Sequence, residues 1–131
     1  MPEETEEYAG EQHPLHTILI VEDDTSIGTF LLEAISEETP YHALLVASGS
    51  QALDALQMLT PHLLILDYHL PGIDGLQLYD LVHAMPGMRQ IPAILMSARL
   101  PQRELQKRSI VGMHKPFELD DFLQHILDML G

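Results

Sequence analysis

The sequence predicts an α/β domain: a doubly wound, five-stranded parallel sheet flanked by five helices. Three observations lead there. From residue 17 onward, short apolar runs rich in β-branched residues alternate with longer stretches of helical period. The runs are continuous rather than alternating, as in strands buried on both faces. Strands and helices in that order are joined by right-handed crossovers, which place helices on both faces of a parallel sheet.

Thr17-Ile18-Leu19-Ile20-Val21 is the first strand. Thr25 or Ser26 can cap the helix that carries Ile27, Phe30, Leu31, Ala34 and Ile35 and ends near Glu38, before Pro40; Asp23 and Asp24 offer the same capping oxygen. Ala43 to Val46 forms a second strand, and Ser48-Gly49-Ser50 opens a helix that runs through Leu59 until Pro61 stops it. Leu63 to Leu66 is the third strand, followed by a Pro71-Gly72 turn and a helix through Leu76, Leu78, Leu81 and Val82. Ala93 to Met96 is the fourth strand. The stretch from Arg99 to Ile110 has weak helical patterning and a proline at 101. Ile110 to Met113 reads as a short fifth strand. Leu119, Phe122, Leu123, Ile126, Leu127 and Leu130 line one face of a last, amphipathic helix.

Composition narrows the function. The 131 residues hold 6 Lys+Arg against 20 Asp+Glu, a formal net charge of −14. Such a chain repels phosphate backbones and anionic lipid, so neither direct nucleic-acid binding nor membrane association is expected. The absence of cysteine excludes disulfides, thiolate nucleophiles and Cys-based metal centres. No apolar run approaches the roughly 18 residues of a spanning helix, and the first residues do not form a signal peptide. A cytoplasmic location is expected. Five glutamates at 3, 4, 6, 7 and 11, without Lys or Arg, mark residues 1–16 as a disordered acidic segment ahead of a domain over 17–131. His13 and His16 have HxxH spacing but lie in that segment and are not read as metal ligands.

In open parallel sheets the functional crevice lies outside the carboxyl ends of the strands. Here strand one runs into Glu22-Asp23-Asp24, strand three into Asp67 and strand four into Ser97, with Lys115 two residues beyond strand five. Carboxylates gathered in one crevice repel unless a cation compensates. Oxygen donors without His or Cys side chains favour a hard ion, and Mg²⁺, which keeps several waters, suits so few protein ligands.

These residues carry a resemblance. Ile18-Leu19-Ile20-Val21-Glu22-Asp23-Asp24, Leu66-Asp67-Tyr68-His69-Leu70-Pro71-Gly72-Ile73-Asp74-Gly75, Met96-Ser97-Ala98 and Lys115-Pro116-Phe117 resemble, in order, the motifs of receiver domains of bacterial two-component response regulators. The likeness covers about Thr17 to Leu130. It implies a flavodoxin-like sheet of strand order 2-1-3-4-5, with Asp67 as phosphoacceptor. It implies Mg²⁺ held by Glu22, Asp23, Asp67 and the backbone carbonyl of His69. Ser97 and Lys115 would bind the phosphoryl oxygens, and the Lys115-Pro116 bond would be cis. The implied partners are a sensor histidine kinase or phosphotransfer protein and an unknown downstream protein effector. The protein itself would not be a turnover enzyme, since it would catalyse only its own aspartyl phosphorylation and dephosphorylation.

Three features depart from the family pattern. Gly112 stands three residues before Lys115, where receivers usually carry the aromatic residue that couples to the hydroxyl of the fourth strand. Only 18 positions separate Ser97 from Lys115, so the fourth helix is expected to be short, irregular or replaced by loop. Arg99, Arg103, Lys107 and Arg108 cluster in that abbreviated region as a positive patch for an acidic partner or the Glu-rich segment. His69 and Arg99 are expected to flank the phosphoryl group. Two other functions compete. A receiver-fold interaction module with weak or no phosphorylation-dependent switching is compatible with Gly112. A haloacid-dehalogenase-type phosphatase needs an acid two positions after the nucleophile, where His69 stands. A monomer or atypical dimer is expected, because the altered region belongs to the face through which many receivers pair.

Overall fold

The computed structural model describes residues 16–131, so the acidic segment, apart from His16, lies outside the described residues. Strands β1 (Thr17–Val21), β2 (His42–Val46), β3 (Leu63–Asp67), β4 (Ala93–Ser97) and β5 (Val111–His114) alternate with helices α1 (Thr25–Glu38), α2 (Gly49–Ala55), α3 (Gly75–His83), α4 (Gln102–Arg108) and α5 (Leu119–Leu130). All strand pairs are parallel and the order is β2-β1-β3-β4-β5, as the resemblance implied.

The continuous apolar runs of β1, β3 and β4 are buried on both faces because each of these strands feeds two cores, whereas the edge strand β2 is partly exposed. Leu19, Val21, Leu64, Leu66, Ala93 and Leu95 pack on one side with α2, α3 and Leu105 of α4. Ile18, Ile20, Leu63, Ile65, Ile94 and Met96 pack on the other with Leu31 and Ile35 of α1 and Phe122 and Ile126 of α5. Every residue of β3 and β4 is buried.

Local signals set the helix starts. Of the candidate caps for α1, Asp24 serves: its Oδ1 accepts from the Ile27 N–H at 3.0 Å, while Thr25 and Ser26 are the first helical residues. Ser48 caps α2. Asp74 and Gln77 form a reciprocal capping box on α3. Helix α2 ends at Ala55, short of the expected Leu59; beyond it the chain turns so that Leu56 stays buried while Met58 is 87% exposed. β5 extends one residue beyond the apolar run, to His114, so Lys115 follows its strand directly. α4 is short, with seven residues and no side-chain cap at Pro101. His16, which falls in the expected acidic segment, is joined to the sheet, its carbonyl accepting from the His42 N–H at 3.0 Å and its ring stacked on Tyr41.

Gly75, the first residue of α3, sits against the end of β3. A Cβ there would lie 2.6 Å from the Asp67 carbonyl oxygen and 2.7 Å from Leu95 Cδ1. Gly75→Ala is therefore expected to lose about 2 kcal/mol in urea denaturation, by overpacking against backbone that cannot yield freely. Gly72 has φ of 85° and open space around it. Gly72→Ala is expected to lose about 1 kcal/mol from conformational strain alone, without moving Asp67. Equal losses in the two variants would contradict this account.

Candidate functional site

The apolar runs end together because the strands are parallel and in register, and the first polar residue after each run falls at the same edge of the sheet. Val21 pairs with Leu66, and Asp67 with Met96, so Glu22, Asp67 and Ser97 emerge side by side. Backbone bonds join the loops beyond them: the Tyr68 N–H donates to the Met96 carbonyl at 2.9 Å and the Lys115 N–H to the Ser97 carbonyl at 2.8 Å. Gly75 N–H donates to the Tyr68 carbonyl at 2.9 Å, closing the loop that carries Asp67.

One oxygen from each of Glu22, Asp23 and Asp67 lies within 4.8 Å of the others. Glu22 and Asp67 are buried and Asp23 is exposed. Lys115 Nζ bridges the buried pair, 3.0 Å from Glu22 Oε1 and 3.1 Å from Asp67 Oδ1. The second Glu22 oxygen accepts from the Asp24 N–H at 3.2 Å. Burial holds the Glu22 carboxyl above the usual range, against the hydrogen bonds from Asp24 and Lys115. Burial works against the Lys115 ammonium, but its bonds to Glu22 and Asp67 outweigh this and raise its pKa. Three carboxylates and one ammonium leave two negative charges. The donor set is all oxygen, partly open to solvent through Asp23, and short of compensating charge, which fits a hard divalent ion such as Mg²⁺.

Ser97 is 1% exposed, and its hydroxyl is committed elsewhere. It donates to the Arg99 carbonyl at 2.9 Å and accepts from the Arg99 N–H at 3.1 Å. The structure thus brings Glu22, Asp23, Asp67 and Lys115 together, with Ser97 beside them but turned onto its own loop. His69 and Arg99 are exposed at the rim. The Lys115-Pro116 peptide is cis.

The expected positive patch is largely neutralised. Arg108 forks onto Asp80 of α3 through Nε and Nη2 at 2.8 and 2.9 Å, and its Nη1 reaches Glu104 Oε1 at 2.9 Å. Lys107 pairs with Glu104 at 3.4 Å, leaving Arg99 and Arg103 as exposed cations on this side. Arg108 is a residue whose role sequence spacing misjudged. The hydrogen bonds from Arg108 hold Asp80 below the usual carboxylate range. A carboxylate with a lowered folded pKa adds stability above its unfolded pKa and loses it as pH falls through the folded value. Asp80→Asn is expected to cost at most about 1 kcal/mol at pH 7, since the pair is partly solvent-screened. The gap from wild type should close in acid-limb melts as Asp80 protonates; a gap that widens toward acid contradicts the sign.

Comparison with known proteins agrees with this geometry. The family model described as the response regulator receiver domain matches residues 18–127. Sporulation initiation phosphotransferase F of Bacillus subtilis (strain 168) is 31% identical over 108 residues, covering 79% of this chain and 85% of that protein. The signal transduction histidine-protein kinase BarA of Shigella flexneri is 30% identical over 106 residues, 78% of this chain but only 11% of the kinase. The chain thus spans about a tenth of that relative's length. The signal receiver domain of a signal transduction histidine kinase from Syntrophus aciditrophicus superposes with a TM-score of 0.78 at 28% identity, covering 88% of this chain and 90% of that one. Fold, strand-end chemistry and sequence agree, and the chain belongs to the response regulator receiver domains of two-component signal transduction.

Proposed function

We propose that this domain accepts a phosphoryl group on Asp67 from a phosphohistidine of a sensor kinase or phosphotransfer protein and signals onward by protein contact. The observation that carries this reading is the buried Asp67 carboxylate bridged by Lys115 and flanked by Glu22 and Asp23. An Asp67 oxygen attacks phosphorus as the bond from phosphorus to the donor nitrogen breaks. The imidazole leaves with the electron pair, and the carboxylate becomes an acyl phosphate. Phosphoryl transfer through a loose transition state asks for in-line positioning and charge neutralisation rather than a strong base. Lys115 supplies one positive charge at the oxygens. Mg²⁺ held by Glu22, Asp23, Asp67 and the His69 carbonyl would supply the rest. Ser97 donates to a phosphoryl oxygen once it leaves Arg99. The domain acts on itself and turns over no separate substrate. The sporulation phosphotransferase among its relatives supports a place in a phosphorelay.

The test is incubation with acetyl phosphate and Mg²⁺, read by intact mass. One added phosphoryl group is expected. An unmodified protein would overturn this reading in favour of an interaction module without phosphate control, which Gly112 and the turned-away Ser97 hydroxyl favour.

A further inference from the structure

Helix α4 is too short to be stable by its own hydrogen bonds, and Leu105 is its one buried residue. Its fixings are tertiary. Beside β5, Gly112 leaves a space filled by leucines: a Cβ there would lie 2.7 Å from Leu105 Cδ1 and 3.2 Å from Leu100 Cδ1. At the other end, Arg108 grips Asp80 in a two-toothed fork and ties back to Glu104, through the side chain and through the Glu104 carbonyl at 3.0 Å. Tyr79 Oη donates to the Arg108 carbonyl at 3.1 Å, adding a tertiary bond to a helix end whose Leu105 and Gln106 carbonyls already accept from the Ile110 and Ser109 N–H groups. Ser109 then turns the chain in the left-handed region, φ 58°.

The loop before α4 begins at Ser97, whose single hydroxyl proton is spent on the Arg99 carbonyl. Leu100, next in the chain, is one of the two leucines packed over Gly112. A continuous set of contacts therefore runs from Ser97 through Arg99, Leu100 and Leu105 to Arg108 and α3.

We propose that Arg108 is a positioning residue, the pin of a latch that holds Ser97 turned away from Asp67. While Arg108 grips Asp80 and Tyr79 caps its carbonyl, α4 stays seated, the leucines stay over Gly112 and the Arg99 loop keeps the Ser97 hydroxyl. A group on Asp67 that claims the hydroxyl proton must take it from the Arg99 carbonyl and so works against the latch. Coupling of this kind is reciprocal: whatever loosens the latch favours the group on Asp67 by the same factor. This inference rests on Asp67 being the phosphoacceptor.

Beryllofluoride with Mg²⁺, standing in for the phosphoryl group, is titrated by ¹⁹F NMR, with hydrogen exchange of residues 98–108 followed in parallel. Arg108→Ala is expected to exchange faster in this segment without ligand and to bind beryllofluoride at least about threefold more tightly than wild type. Tyr79→Phe, which removes only one hydrogen bond, should move both in the same direction by less. Faster exchange with equal or weaker binding would overturn the latch, as would unchanged exchange in both variants. Wild type that binds no beryllofluoride at all would instead overturn phosphorylation of Asp67.

Discussion

Asp67→Asn is expected to take up no phosphoryl group from acetyl phosphate and yet to be at least as stable as wild type in EDTA. The first result follows from chemistry, because the amide oxygen is a far poorer nucleophile than a carboxylate. The second follows from the site's charge. Wild type confines Glu22, Asp23 and Asp67 around a single ammonium, and the charge on Asp67 adds to the burial that raises the Glu22 carboxyl. The amide removes one repelling charge and still offers an oxygen to Lys115. With Mg²⁺ the order should reverse, since an ion that binds only the folded state stabilises it in proportion to its affinity. Intact mass and thermal melts with and without Mg²⁺ check both parts. An adduct that persists in the variant would place the phosphoacceptor elsewhere.

Lys115→Met should be the most destabilising change in the site. Lys115 touches two carboxylates whose side chains are 1% and 8% exposed. Removing one partner of a buried ionic group leaves the others uncompensated and costs about 3 kcal/mol, or roughly 10 °C of melting temperature for a domain this size. Methionine keeps the backbone bond to Ser97 and much of the side-chain volume, so the loss isolates the charge. Added Mg²⁺ should recover part of it. A variant that melts with wild type in EDTA would show that Glu22 and Asp67 do not need the lysine in the folded state.

The residues gathered at the carboxyl edge of the sheet were legible because strand burial and strand termination coincide. In β1, β3 and β4 the apolar run stops where the crevice begins, so Glu22, Asp67 and Ser97 stand out without knowledge of the pairing. What could not be read was non-local or rotameric. Arg108 looks like one more surface cation until Asp80, 28 residues away, is brought beside it. Ser97 ends β4 beside Asp67, but its hydroxyl direction depends on whether Arg99 or a ligand offers the better bond. Helix ends shifted for a related reason. Leu59 fits the period of α2, but Leu56 turns into the core and the helix has already ended.

The two-sided burial of the central strands has a consequence for folding. With apolar residues on both faces, sliding a strand by one position exchanges one greasy surface for another, and polarity along the run does not oppose it. Only the ends are marked. A slip inward would draw Glu22, Asp67 or Ser97 deeper between neighbouring strands, away from Lys115 and from the open edge of the sheet. These three side chains therefore act as punctuation for the alignment of the sheet. Exchanging any of them for leucine is a spelling error in the fold before it is a loss of chemistry.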